Sequence, residues 1–165
     1  METMLKIKAG IMRVLSIVII FLFAFMTVIG TYQIVTRYFF NKPSTVSEEL
    51  LTYSFTWMAL LASAYVFGKR DHMRMGFVAD KVTGTAKKVL EICIELLVVA
   101  FAAIAMVYGG INIMGLTMTQ TTASLPVTMG VIYTVLPLSG LFIVIYGILN
   151  IIDLAHGKGL DHEEN

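Results

Sequence analysis

From Leu96 to Ile152 the chain reads LLVVAFAAIAMVYGGINIMGLTMTQTTASLPVTMGVIYTVLPLSGLFIVIYGILNII, without one charged residue. A single crossing of a ~30 Å hydrocarbon layer takes about 20 residues, so this run holds two crossings and needs a divider. The divider is GLTMTQTTASLP at 115–126, where Thr, Gln, Ser and Pro replace the aliphatic residues as a turn at a membrane surface requires. The third span is therefore predicted over 89–114 and the fourth over 127–152. Pro137 falls inside the fourth span, where its missing N–H and its ring predict a kink.

Working towards the N-terminus, two more charge-free runs appear. One lies between Arg13 and Arg37, with a predicted span over 14–36; the other, LLTYSFTWMALLASAYVFG, occupies 50–68 between Glu49 and Lys69. The first run continues into TYQIVTRYFF without a small-residue cleavage site, so it is expected to be a retained span and not a cleaved signal peptide. Fold class is thus all-α: a polytopic membrane protein with four transmembrane helices in one membrane domain over 1–165, ending in a polar tail at 153–165. Composition agrees, with 58% hydrophobic and 14% charged residues among 165 and a mean hydropathy of +0.83, outside the range of an ordinary soluble domain.

Orientation follows from the basic residues, which are retained on the cytoplasmic side during insertion. Lys6, Lys8, Arg13, Lys69, Arg70, Arg74, Lys81, Lys87, Lys88 and Lys158 fall in the N-terminus, second loop and tail, against only Arg37 and Lys42 in the first and third loops. Both termini are expected to be cytoplasmic, and an even number of spans places them on one side independently.

The second loop admits two readings. Met75, Val78, Val82, Ala86 and Val89 recur at helical spacing, which predicts an amphipathic helix over 73–87 lying in the interface, with Lys69, Arg70, Arg74, Lys81, Lys87 and Lys88 meeting anionic lipid headgroups. Gly76 and Gly84 weaken a helix, and a solvated basic loop accounts for the same charges. In the first loop, RYFFNKPSTVSEE, one of Ser44, Thr45 and Ser47 is expected to cap the second helix, with Glu48 and Glu49 at its positive end. Arg37 can pair with one of these glutamates, or the acids can face a partner protein.

Chemistry is sparse. His72, His156 and His162 lie outside the spans, Cys93 is the only cysteine, and no phosphate-binding loop or dinucleotide fingerprint occurs, so no enzyme, metal centre or cofactor is expected. The dispersed basic residues and a net charge of +1 give no nucleic-acid footprint. Glu95 lies four residues after Glu91 on one helix face and is expected near the boundary, neutralised by Lys87 and Lys88. Gln33, Asn112 and Asn150 are expected to hydrogen-bond between helices. Ala59, Ala62 and Ser63, Ala102, Ala105 and Gly109, and Gly140 and Gly147 suit close helix contact, within the chain or against another subunit.

Taken in order, Arg37-Tyr38, Asn41, Glu48-Glu49, Trp57 and the basic exit to His72 resemble the first half of small DctQ- or SiaQ-like subunits of tripartite ATP-independent periplasmic (TRAP) transporters. Gln120, Leu125, Pro126, Tyr133 and Pro137 are similar to the family's third loop and fourth-helix entry. Ala62-Ser63-Ala64 departs from the glycine expected in that part of the second helix. The resemblance implies a multi-pass subunit of the bacterial or archaeal cytoplasmic membrane. Its implied partners are a large DctM- or SiaM-like membrane subunit and a periplasmic binding protein. That large subunit would import an organic acid, of the sialic acid or C4-dicarboxylate class, by sodium symport. This chain would be a non-catalytic scaffold, with Arg37, Tyr38, Glu48, Glu49 and Trp57 as partner-contact candidates. Two other classes compete: a self-contained four-helix exporter, which would need an acid in the first span, and a tetraspan structural protein, which would normally carry a disulfide-stapled loop.

Overall fold

The computed structural model describes residues 2–69 and 85–155, with side chains at 8–69 and 89–152. All regular elements among them are helical: α1 (Glu2–Tyr38), α2 (Thr45–Lys69), α3 (Thr85–Phe101), a π-helical segment (Ala102–Tyr108), α4 (Gly109–Thr117), α5 (Met129–Tyr133) and α6 (Val135–Ala155). Four spans are long and apolar enough to cross a membrane: Lys8–Tyr38, Thr45–Lys69, Val89–Thr117 and Met129–Ile152. Helices are the physical solution here because hydrocarbon offers no partner to a backbone N–H or C=O, so each span must satisfy its own. The first three spans run past at least one of their sequence-drawn limits, because a helix continues through interfacial polar residues that a charge boundary excludes, whereas the fourth begins two residues inside its predicted start. The second starts at Thr45 because Ser44 caps it: the Ser47 N–H donates to Ser44 Oγ at 3.3 Å. The predicted interfacial segment over 73–87 falls outside the described residues apart from its end, which opens α3. Arg70, Arg74 and Lys81 are outside them too, as is the tail from 156.

The spans pack in the order first, second, fourth, third. α1 lies along α2, while α6 touches α2 on one side and α3 with the π segment on the other. Burial follows this order. Tyr146, Val135, Ser139 and Asn150, all from α6, are the largest fully buried side chains, whereas most of α1 is uncovered. Glycine at two places permits the contact. A Cβ on Gly68 of α2 would stand 2.9 Å from Tyr146 Cε2, and one on Gly140 would stand 2.7 Å from Met106 Cβ, so each backbone serves as the floor on which the opposing side chain rests.

The third and fourth spans both depart from α geometry. α5 is a single turn, and α6 restarts after Thr134, whose N–H reaches back to Val131 O at 3.3 Å. The break lies one turn before Pro137, where the ring displaces the carbonyl four residues earlier. Along its length the third span meets the fourth through Ala102, Met106, Gly110, Met114 and Met118. A repeat of four drifts by roughly 40° per step on a 3.6-residue helix. The wider π turns over 102–108 absorb part of that drift and keep the line of contact facing the fourth span.

Candidate functional site

Two polar clusters stand out, one at each end of the bundle. At the end away from the termini, α1 stops at Tyr38 and Asn41 takes a left-handed φ of 50°, which lets the Lys42 N–H reach Thr36 O at 3.0 Å. Asparagine tolerates this conformation better than most residues. The chain then enters α2, where Glu49 turns towards the connection between the third and fourth spans. Its carboxylate accepts the Ala123 N–H at 2.9 Å and the Ser124 N–H at 2.8 Å, and Tyr53, one turn on, donates its hydroxyl at 3.0 Å.

That connection is itself ordered. Thr121 and Thr128 form a bridge, the Thr122 N–H donates to Val127 O at 3.1 Å, and Thr122 Oγ1 donates to Leu125 O at 2.7 Å. The carboxylate occupies two successive amides of a turn, an arrangement suited to an anion, and so ties α2 to a loop more than 70 residues away. Trp57 makes the second tie: its indole N–H donates to Ile132 O, in the broken turn before Pro137, at 3.0 Å. Between the two ties lies an apolar cavity of about 290 Å³ whose walls include Leu22, Leu50, Tyr53, Trp57, Leu125 and Ile132. It offers no cationic group to an organic acid.

At the end carrying the termini, Asn150 is wholly buried and bridges three spans. Lys8 Nζ donates to Asn150 Oδ1 at 2.9 Å, and Asn150 Nδ2 donates to Glu95 Oε1 at 3.2 Å. Both faces of the amide are thereby engaged by ionisable groups, a geometry that fixes its orientation.

The sequence-derived residues thus divide. Glu49 and Trp57 are turned into the bundle, while Arg37, Tyr38 and Glu48 are exposed. Arg37 pairs with neither glutamate, contrary to the expected lock between the first two spans, because Glu49 faces the third loop and Glu48 faces outward. Asn150 joins helices as expected. The side chains of Gln33 and Asn112 make no hydrogen bond to another helix among the described residues. Lys8 entered the sequence reading only as a topological charge. Its signal was its position at the end of the first span, level with Glu95 and Asn150. Lys69 lies over the Tyr65 ring at 5.1 Å. Among the described residues no group of three His, Cys, Asp or Glu side chains could hold a metal ion.

Fold and clusters together define a multi-pass membrane protein whose polar side chains join its own helices. Residues 26–157 match the family described as tripartite ATP-independent periplasmic transporters, DctQ component. Over 134 residues the chain is 29% identical to the sialic acid TRAP transporter small permease protein SiaQ of Vibrio cholerae, covering 78% of this chain and 74% of that protein. It is also 25% identical over 85 residues to a putative TRAP transporter small permease protein of Haemophilus influenzae, covering 52% of this chain and 53% of the other. The chain belongs to the DctQ family: it is a small permease subunit of a TRAP transporter, a transport component and not an enzyme.

Proposed function

We propose that this subunit is a fixed scaffold for the large membrane subunit of a sodium-coupled TRAP transporter that imports an organic acid delivered by a periplasmic binding protein. One observation carries this reading. Lys8, Arg13, Arg37, Glu48, Glu49, Lys69, Glu91 and Glu95 are the charged residues with described side chains outside the first-loop lysine, and all fall towards span ends. A carrier of an organic anion needs strongly polar groups near the bilayer midplane. Similarity to the Vibrio cholerae protein, whose name specifies sialic acid, favours a sialic acid as solute over a C4-dicarboxylate. The ten-to-two distribution of Lys and Arg favours cytoplasmic termini in the bacterial inner membrane. In this orientation the Glu49-tied rim, with exposed Arg37, Tyr38 and Glu48, faces the compartment of the binding protein, and the basic second loop faces the inner-leaflet headgroups.

The test is uptake into proteoliposomes containing the large subunit, with binding protein and a sodium gradient supplied, with and without this chain. Uptake that requires all components supports the reading. Equal uptake without this chain contradicts it.

A further inference from the structure

An exposed patch of rings and bases lies where α1 ends. Tyr38, Phe39 and Phe40 are 74%, 81% and 67% exposed, and Phe39 is the most exposed large hydrophobic residue among those described. Three uncovered rings in succession are unfavourable in water. Exposed Arg37 and Lys42 flank them. These are the two bases of the first and third loops, on the side of the membrane away from the other ten.

The end of α1 brings the two bases together. With Asn41 at its left-handed φ, the Lys42 N–H reaches back to Thr36 O at 3.0 Å, so the backbone of Lys42 returns beside the turn that carries Arg37. Neither side chain has a hydrogen bond or ion pair to another described residue. The neighbouring acids do not neutralise them. Glu49 is engaged by the Ala123 and Ser124 amides, which leaves exposed Glu48 as one acid against two bases.

Depth decides what meets this patch. α1 is one unbroken helix, and the rise from Arg13 to Arg37 is about 36 Å at ~1.5 Å per residue. That exceeds the ~30 Å hydrocarbon layer and falls short of the ~40–45 Å that includes both headgroup regions. With Arg13 at one headgroup level, Arg37 therefore stands at the other. Tyr38 lies one turn beyond exposed Ile34 and Val35 and continues the apolar surface of α1 into the layer where aromatic rings accumulate.

We infer that Arg37 and Lys42 hold the phosphodiester of an anionic phospholipid in the leaflet opposite the termini, with Tyr38, Phe39 and Phe40 seated at the boundary between its headgroup and acyl chains. The guanidinium offers paired N–H donors to phosphate oxygens and the lysine adds a point charge. A bilayer surrounds every such span, so the occupant is present whatever protein partners the subunit has. The contact fixes the height of a span that its own chain leaves mostly uncovered. It depends neither on the scaffold reading nor on which compartment holds the termini.

The test places a photoreactive amino acid at Phe39 or, as a reference in the middle of α1, at Val28. The subunit is reconstituted with its large subunit and binding protein in vesicles of equal parts phosphatidylglycerol and phosphatidylcholine, and adducts are identified by mass. At Phe39, phosphatidylglycerol adducts are expected to exceed phosphatidylcholine adducts about fivefold, the effect of one net positive charge at an anionic surface. The ratio is expected near one in the double variant Arg37→Gln with Lys42→Gln, and near one at Val28 throughout. Each ratio is read within one sample, so a lower yield of folded subunit does not alter it, and it is read equally where the large subunit fails to join. Equal adducts or none at Phe39, a preference that survives the double variant, the same preference at Val28, or an adduct of Phe39 with either protein partner would each overturn the inference.

Discussion

Replacing Asn150 by Leu keeps the side-chain size but removes both arms of the bridge between Lys8 and Glu95. Interhelical hydrogen bonds in membranes average ~0.6 kcal/mol and reach ~1.7 kcal/mol each. Both bonds here involve an ionisable partner and a wholly buried amide, which places them in the upper part of that range. The expected loss is about 2 kcal/mol, or roughly 4–8 °C in Tm for a chain of this size. Thermal unfolding of the purified subunit in detergent measures it, with Lys8→Met and the double variant completing a cycle. Because Lys8 and Asn150 share one bond, the double variant should lose less than the sum of the two single losses. An unchanged Tm for Asn150→Leu, or losses that simply add, would refute the reasoning.

Three further outcomes follow from named contacts. Glu49→Gln, which leaves one acceptor for two amides, is expected to speed hydrogen exchange at Ala123 and Ser124, and unchanged exchange at both would contradict the tie. Trp57→Phe removes the donor to Ile132 O and should cost about 1 kcal/mol, seen as a fall of a few degrees in Tm; Trp57→Phe with wild-type stability would show the bond to be idle. Gly140→Val places methyl groups where a Cβ already stands 2.7 Å from Met106 Cβ, and should lower the yield of folded subunit sharply, whereas Gly115→Val, with nothing within 4 Å of its Cβ position, should not.

How far the sequence reached can be traced through particular residues. The spans were legible because charges bracket them: Arg13 and Arg37, Glu49 and Lys69, Glu95 and Asp153 act as markers that hydrocarbon imposes. The divider at 115–126 was legible from its hydroxyl and amide side chains. The Glu49 tie was not, since its donors are backbone N–H groups more than 70 residues distant, and a backbone amide carries no sequence signal. Local reasoning instead paired Glu49 or Glu48 with Arg37, across the first loop. The small residues were also ambiguous: Ala102, Gly140 and Gly147 face helices of this chain, while Ala59 and Ser63, of the same composition, face outward. Only the packing order separates them. The π segment left no composition mark, yet the spacing of four through Ala102, Met106, Gly110 and Met114 becomes meaningful once the fourth span lies beside it.

The central claim is that this subunit supports transport without containing a pathway. Reconstituting the chain alone in vesicles, with an inward sodium gradient and labelled sialic acid in the presence of binding protein, tests it directly. The account predicts accumulation no greater than in empty vesicles; gradient-driven accumulation by this chain alone would contradict it.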